Sequence, residues 1–384
     1  MFYSRLHLSW VSGGVCSSEK KASLLAGDLM KRVPQLDSIR GLAVLAVLVH
    51  NTDVNRYTGF VARNGWMGVD LFFVLSGFLI TGILLDTKDA EGYFRNFYAR
   101  RCLRIWPLYY CTLFFMFVVV PLLRPSEAHQ VFDARSMPWW SYLVYLQNFL
   151  VPVVTRATGP LGVTWSLAVE EQFYLVWPLV VRCCSERTLR RITIAIICFD
   201  PLLRFFLLRQ GFNVYPSTFC RLDGLMWGAL LALLFRSKTF SREAYVRPVW
   251  FAFFAASPLA LLTAERVEWV VYSFTALASA AFVYLACTSK QKWLQAVLAN
   301  RFLVYSGVIS YGIYLLEKIP VDAVKSFHFK GHPAIVLLLT AATTYLLATL
   351  SWNLLEKPVL RLKRFFEAGA SAHAKPEVAL AKAS

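Results

Sequence analysis

Arg40 and His50 stand ten residues apart, in Leu36-Asp37-Ser38-Ile39-Arg40-Gly41-Leu42-Ala43 and the apolar run that continues to His50-Asn51. On a helix rising 1.5 Å per residue, that separation is about 15 Å. A histidine at one end of a span suits a base that deprotonates a hydroxyl, and an arginine at the other suits a cation that holds an anionic donor. Equally, Arg40 can snorkel to an interface and His50 can cap the helix.

Four further groups carry chemistry. In Gly65-Trp66-Met67-Gly68-Val69-Asp70, the Asp70 carboxylate opens a span and invites a cationic partner. Ser76-Gly77, later in the same run, reads as close helix packing rather than as a nucleophile, because no base lies nearby in sequence. Arg100, Arg101 and Arg104, within Phe97–Tyr109, put three guanidinium groups in five residues. That cluster suits bidentate phosphate binding, or else topology and lipid headgroups. Trp165, Glu170 and Glu171 belong to Thr164-Trp165-Ser166-Leu167-Ala168-Val169-Glu170-Glu171-Gln172-Phe173-Tyr174. Adjacent carboxylates point about 100° apart on a helix, so one of the two faces the interior. Arg221-Leu222-Asp223-Gly224 opens another span, where Arg221 and Asp223 pair with each other or bind a polar acceptor.

The elements that must position these groups are apolar helices. Of the 384 residues 57% are hydrophobic and 16% charged, against roughly 45–50% and about 25% in an ordinary soluble domain. An ordinary soluble globule is excluded, since monomers avoid large exposed apolar patches. Apolar runs near 36–52, 66–85, 105–123, 139–154, 163–181, 192–208, 219–235, 249–264, 267–287, 302–320 and 333–355 approach the length of about 20 residues that a crossing helix needs. The run 139–154 is short, opens with Pro138-Trp139-Trp140 and contains Gln147-Asn148 and Pro152. If it lies in the interface or re-enters, the basic segments 86–104, 182–191, 236–248 and 288–301 and both chain ends fall on the cytoplasmic side, as the positive-inside rule asks. The expected fold is therefore all-α, a polytopic integral membrane bundle of about ten transmembrane helices with both termini cytoplasmic. Residues 1–33 read as a poorly ordered leader, 34–366 as the membrane domain and 367–384 as a disordered tail.

The net charge of +17 is sorted between apolar runs rather than gathered on one face, so it reads as topology and not as nucleic-acid binding. The eight cysteines form no C-x-x-C pair and read as free thiols, giving neither a disulfide framework nor a metal site.

Taken in order, these blocks resemble the acyltransferase-3 family of integral membrane O-acyltransferases, which are largely bacterial. The resemblance runs from about Leu36 to Phe366 and is most specific in Gly68–Ile80, Phe97–Tyr109 and Trp165–Tyr174; Ser351-Trp352-Asn353-Leu354-Leu355-Glu356-Lys357-Pro358 looks like the family's usual end. It implies ten spans in a bacterial inner membrane. The implied reaction transfers an acyl group, often acetyl, from cytoplasmic acyl-CoA (acetyl-CoA above all) to a hydroxyl of a glycan or other extracytoplasmic acceptor. By the same resemblance His50 is the general base, Arg40 its functional partner, and Arg101 and Arg104 the donor-side cations. Glu170 or Glu171 then orients the histidine or the acceptor.

Two positions depart from the family pattern. Family members commonly have ten residues between the first-span Arg and His, and here there are nine. A separation of ten turns His50 about 80° from Arg40, whereas Asn51, at eleven, lies within about 20°. Either the helix is locally irregular or the Arg–His relation is looser. In Ser310-Tyr311-Gly312-Ile313-Tyr314-Leu315-Leu316-Glu317-Lys318, Glu317 stands where the family usually has His. The alternative function is a transporter or flippase for a polar or anionic substrate. It predicts internal repeats and broken helices in matched halves, and no such repeat is visible in the sequence.

Overall fold

The computed structural model describes residues 34–52, 55–123, 137–150, 159–264, 267–326 and 333–366, and every regular element among them is a helix. The expected leader and tail lie outside the described residues.

Helix α1 (Pro34–Asn51) carries both Arg40 and His50 without a break. Proline at its start fits the first turn, where no N–H partner is lost. There follow α2 (Asn55–Asn64), α3 (Met67–Asp86) and α4 (Tyr93–Phe114), the last prolonged through a π-helical turn, Phe115–Val119, to Leu123. The central elements are α5 (Thr164–Cys183), α6 (Glu186–Arg209) and α7 (Leu222–Arg236). Helices α8 (Val246–Thr263) and α9 (Glu268–Thr288) pack together as a pair. After them come α10 (Arg301–Val308), α11 (Ser310–Leu316), α12 (Lys318–Ser326) and α13 (Pro333–Ser351).

Among the described residues, five helical stretches are long and apolar enough to cross a membrane: Met67–Asp86, Tyr93–Leu123, Val246–Thr263, Glu268–Thr288 and Ala334–Phe366. Arg301–Val308 and Ser310–Val321, bent by 62°, make a sixth if taken as one span. This is fewer than the ten expected. The remaining long helices are diluted by polar groups: Asp37, Arg40 and His50 in α1, Glu170 and Glu171 in α5, Asp200 and Arg204 in α6. Helix α7 has only 15 residues.

Three expectations change in detail. The run 139–154 is no single helix: Trp139–Leu143 and Gln147–Leu150 flank Tyr145, which has φ 54°. Gln147 and Asn148 turn inward, donating to the Thr164 carbonyl at 3.0 Å and to Thr218 Oγ1 at 2.7 Å, which stops the chain from continuing as a lipid-facing helix. The segment 182–191 is mostly helical, because Ser185 caps α6 by accepting from the Thr188 N–H at 3.2 Å. The run 302–320 breaks at Ile309, between α10 and α11.

Small residues let the backbones touch, the usual device of helices without a hydrophobic drive to associate. A Cβ on Gly77 of α3 would lie 1.9 Å from the Leu225 carbonyl oxygen of α7, and one on Gly228 would lie 2.0 Å from that of Val74. The same closeness joins α1 to α10, where a Cβ on Gly307 would come within 1.7 Å of the Asp37 carbonyl oxygen. Large apolar side chains such as Phe251 (77% exposed) and Leu338 (69%) face outward, as lipid contact requires. Of the polar residues that dilute α1, α5 and α6, Asp37, Asp200 and Arg204 are buried and the others half-buried.

Candidate active site

Four cavities follow one another through the bundle, and neighbours in the series share wall residues. The first, of about 190 Å³, is lined by Arg100, Arg101, Lys363, Asn96, Thr87 and Glu91 among others. Arg100 is tied to the far end of the chain, its Nε donating to the Phe366 carbonyl at 2.8 Å. Arg101 also lines the second cavity, of about 120 Å³, where it meets Arg40, Arg104, Ser76, Glu170 and Tyr174.

Residues of α1, α3, α4 and α5 thus converge on the second cavity. Ser76 Oγ donates to Glu170 Oε1 at 2.7 Å, and the Tyr174 hydroxyl donates to Glu170 Oε2 at 3.0 Å. Both Glu170 oxygens are thus engaged by hydroxyl groups of neighbouring side chains. Arg101 lies 5.9 Å from the centre of the Tyr174 ring, and its buried Nε has no hydrogen-bond partner. Arg40 pairs with Asp37 at 3.3 Å. Arg104 meets Glu356 at 3.7 Å and the Trp352 ring at 5.6 Å, both presented by the π-helical turn Trp352–Glu356 that follows α13. Such π-turns recur at functional sites. Glu171 lines none of the four cavities, and its buried Oε1 has no hydrogen-bond partner.

Val69 and Tyr314 belong both to this cavity and to a third, of about 360 Å³, which includes His50, Asn51, Trp66, Trp165, Tyr215 and Lys318. The Tyr314 hydroxyl is fixed by Ser166 Oγ at 2.5 Å and by the Val163 carbonyl at 3.0 Å. His50, Trp66 and Tyr215 line the fourth as well, of about 450 Å³, together with Glu268 and Tyr272. His50 Nδ1 lies 2.6 Å from the Ala62 carbonyl oxygen. A carbonyl only accepts, so Nδ1 carries the hydrogen, and the neutral ring keeps its lone pair on Nε2. That is the tautomer a general base needs.

The sequence-derived candidates therefore divide. Arg40, Arg101, Arg104 and Glu170 meet in one cavity, with Arg100 in the adjoining one. His50 and Trp165 lie farther along, in cavities that Glu170 does not line. Asp70, Arg221 and Asp223 line none of the four and form buried ion pairs: Arg221 to Asp70 at 2.8 Å, and Arg204 to Asp223 at 2.7 Å. The Asp223 N–H also donates to Asp200 at 2.7 Å. The two departures from the family pattern meet in space, where Asn51 Nδ2 donates to Glu317 Oε1 at 2.5 Å. Trp66, Tyr215, Tyr272, Glu268 and Lys363 are additions that the sequence reading passed over. Only their convergence marks them, since aromatic residues are 15% of the chain.

Comparison with known proteins agrees with this arrangement of blocks. The chain is 31% identical over 358 residues to a Bacillus subtilis (strain 168) protein named "Putative peptidoglycan O-acetyltransferase YrhL", covering 85% of this chain and 55% of that one. It is 26% identical over 359 residues to the O-acetyltransferase OatA of Staphylococcus aureus (strain NCTC 8325 / PS 47), covering 85% of this chain and 57% of OatA. It thus spans little more than half the length of these relatives. No solved structure matches. The family model described as "Acyltransferase domain" matches residues 33–353, most of the chain, and the protein belongs to that acyltransferase family.

Proposed function

We propose that the protein is an integral membrane O-acyltransferase that moves an acyl group, acetyl by analogy with its relatives' names, from acyl-CoA to a hydroxyl of a glycan acceptor. The observation that supports this best is the series of four cavities, with arginines at one end and His50 at the other. Guanidinium groups bind phosphates bidentately, which suits Arg100, Arg101 and Arg104, with Arg40, to the anionic part of the donor. The donor's long arm then runs through the second cavity toward Tyr314. From the other end, the acceptor hydroxyl approaches His50.

In the step itself the hydroxyl oxygen attacks the thioester carbonyl carbon while its proton passes to His50 Nε2. The C–S bond breaks, the acyl group stays on the acceptor oxygen, and the released CoA thiolate recovers the proton. Glu170, held by Ser76 and Tyr174, balances charge among the donor-side arginines. In this reading the arginine end faces the cytoplasm of a bacterial inner membrane, both termini lie on that side, and the chain crosses ten times. Helices α1, α5, α6 and α7 are then among the ten, α5 and α6 each turning an apolar face outward.

Purified His50→Ala, assayed with acetyl-CoA and a hydroxyl acceptor, tests the base. Loss of a general base costs roughly 10²- to 10⁴-fold in turnover, and that fall is expected with CoA binding retained. Wild-type turnover would remove His50 from the mechanism.

A further inference from the structure

Resting on the acyl-transfer reading, we propose that Ala62, Gly65 and Gly68 form a positioning device for His50. The two glycines let the chain return against α1 closely enough for the Ala62 carbonyl to hold the histidine ring by Nδ1.

Helix α1 runs unbroken from Pro34 to Asn51, so the ten-residue separation leaves His50 about 80° around it from Arg40. The two residues line different cavities. What aims the ring comes instead from the chain that follows α1. Twelve residues on, the fully buried Ala62 brings its carbonyl oxygen to 2.6 Å from His50 Nδ1.

That approach is made by glycine. A Cβ on Gly65 would lie 2.1 Å from the Ala46 carbonyl oxygen and 2.9 Å from the His50 Cβ, and one on Gly68 would lie 2.4 Å from the Ala43 carbonyl oxygen. Residues 62, 65 and 68 therefore meet 50, 46 and 43 in turn, and the returning segment runs antiparallel to α1 in backbone contact. The turn is tied internally, with the Gly68 N–H donating to the Gly65 carbonyl and the Val69 N–H to that of Trp66, each at 3.0 Å. A side chain at Gly65 would push this segment off α1 and draw the Ala62 carbonyl away from the ring. On another side of the same helix end, Asn51 Nδ2 donates to the buried Glu317 at 2.5 Å, so the end of α1 is anchored twice.

A carbonyl at Nδ1 does part of what a carboxylate does in an acid–base triad: it fixes which nitrogen carries the hydrogen and where the other points. It adds no full charge, so its effect rests on the geometry of the bond. The Nδ1 hydrogen stays on Ala62 throughout, while Nε2 takes the acceptor's hydroxyl proton and returns it to the CoA thiolate.

The ring and the reaction can be read separately. Full-length protein with isotope-labelled histidine is studied by nitrogen NMR in lipid nanodiscs without substrate, the His50 signals being assigned by their loss in His50→Ala. In the neutral ring of the wild type, the hydrogen sits on Nδ1 and Nε2 is bare. In Gly65→Ala the other tautomer gains, and kcat falls roughly ten- to a hundredfold, since misplacement by about 1 Å can cost about a hundredfold. The KM for acetyl-CoA is unchanged. Nδ1-methylhistidine installed at position 50 keeps both glycines and a bare Nε2 but cannot donate to Ala62. The same fall is expected of it, and it decides the matter should Gly65→Ala not fold. The device is refuted if the wild type carries the hydrogen on Nε2, if Gly65→Ala keeps both tautomer and kcat, if kcat falls there with the tautomer unchanged, or if the methylated ring turns over like wild type. If the tautomers behave as expected but the wild type forms no ester from acetyl-CoA and a glycan, the device stands and the acyl-transfer reading falls.

Discussion

Arg101 and Arg104 differ in what holds them, and that difference sets the donor-site prediction. Arg104 has Glu356 at 3.7 Å, whereas the buried Arg101 Nε has no partner and its guanidinium lies against the Phe97 and Tyr174 rings. A phosphate would complete both. Replacing both by alanine should weaken CoA binding about tenfold or more, since a hydrogen bond to a charged group contributes roughly 1.5–3 kcal/mol. Titration calorimetry checks this, and unchanged affinity would mean these arginines serve topology alone. Arg40, Arg101, Arg104 and Glu170 were legible in the sequence because a charge in an apolar run stands out against its background. Tyr215 and Tyr272 were not, because an aromatic residue in such a run looks the same whether it packs, meets lipid or lines a cavity. The partnership of Asn51 with Glu317, 266 residues apart, was equally hidden: each was visible as a departure, and only the fold joins them.

Among the elements, the contact between α3 and α7 fixes Ser76 and Asp70 relative to the rest of the site, and it depends on glycine. Gly77→Leu would force side-chain atoms into the Leu225 backbone, where even a Cβ has only 1.9 Å to the carbonyl oxygen. Overpacking of this kind costs typically about 1–3 kcal/mol, so a lower unfolding temperature is expected, with loss of turnover because Ser76 and Glu170 no longer meet. A thermal melt matching wild type would contradict the close packing. Most helices fell where apolar runs placed them, and Ser76-Gly77 was readable as a packing motif. Details set by tertiary hydrogen bonds were not readable. The inward turn of Gln147 and Asn148 and the break at Ile309 depend on partners elsewhere in the chain. The start of α6 at Glu186 was missed as well, although its Ser185 cap is local.

On the scale of the whole molecule, the excess positive charge and the cavity series describe one polarity. In the proposed orientation, the arginines that would meet the donor lie toward the cytoplasmic end of the cavity series and His50 toward the other. Composition made the membrane class plain. It did not settle how many helices cross, because a helix that carries charged residues, as α1, α5 and α6 do, falls below a hydropathy measure whether or not it crosses. The central claim is that the bundle connects a donor on one side to an acceptor on the other through His50. Sealed proteoliposomes containing oriented protein test it directly, with acetyl-CoA supplied only at the arginine face and a soluble glycan only at the opposite face. Acetylated glycan should accumulate with wild-type protein and fall to background with His50→Ala. Product that forms only when donor and glycan share one compartment, or forms equally with His50→Ala, would contradict the account.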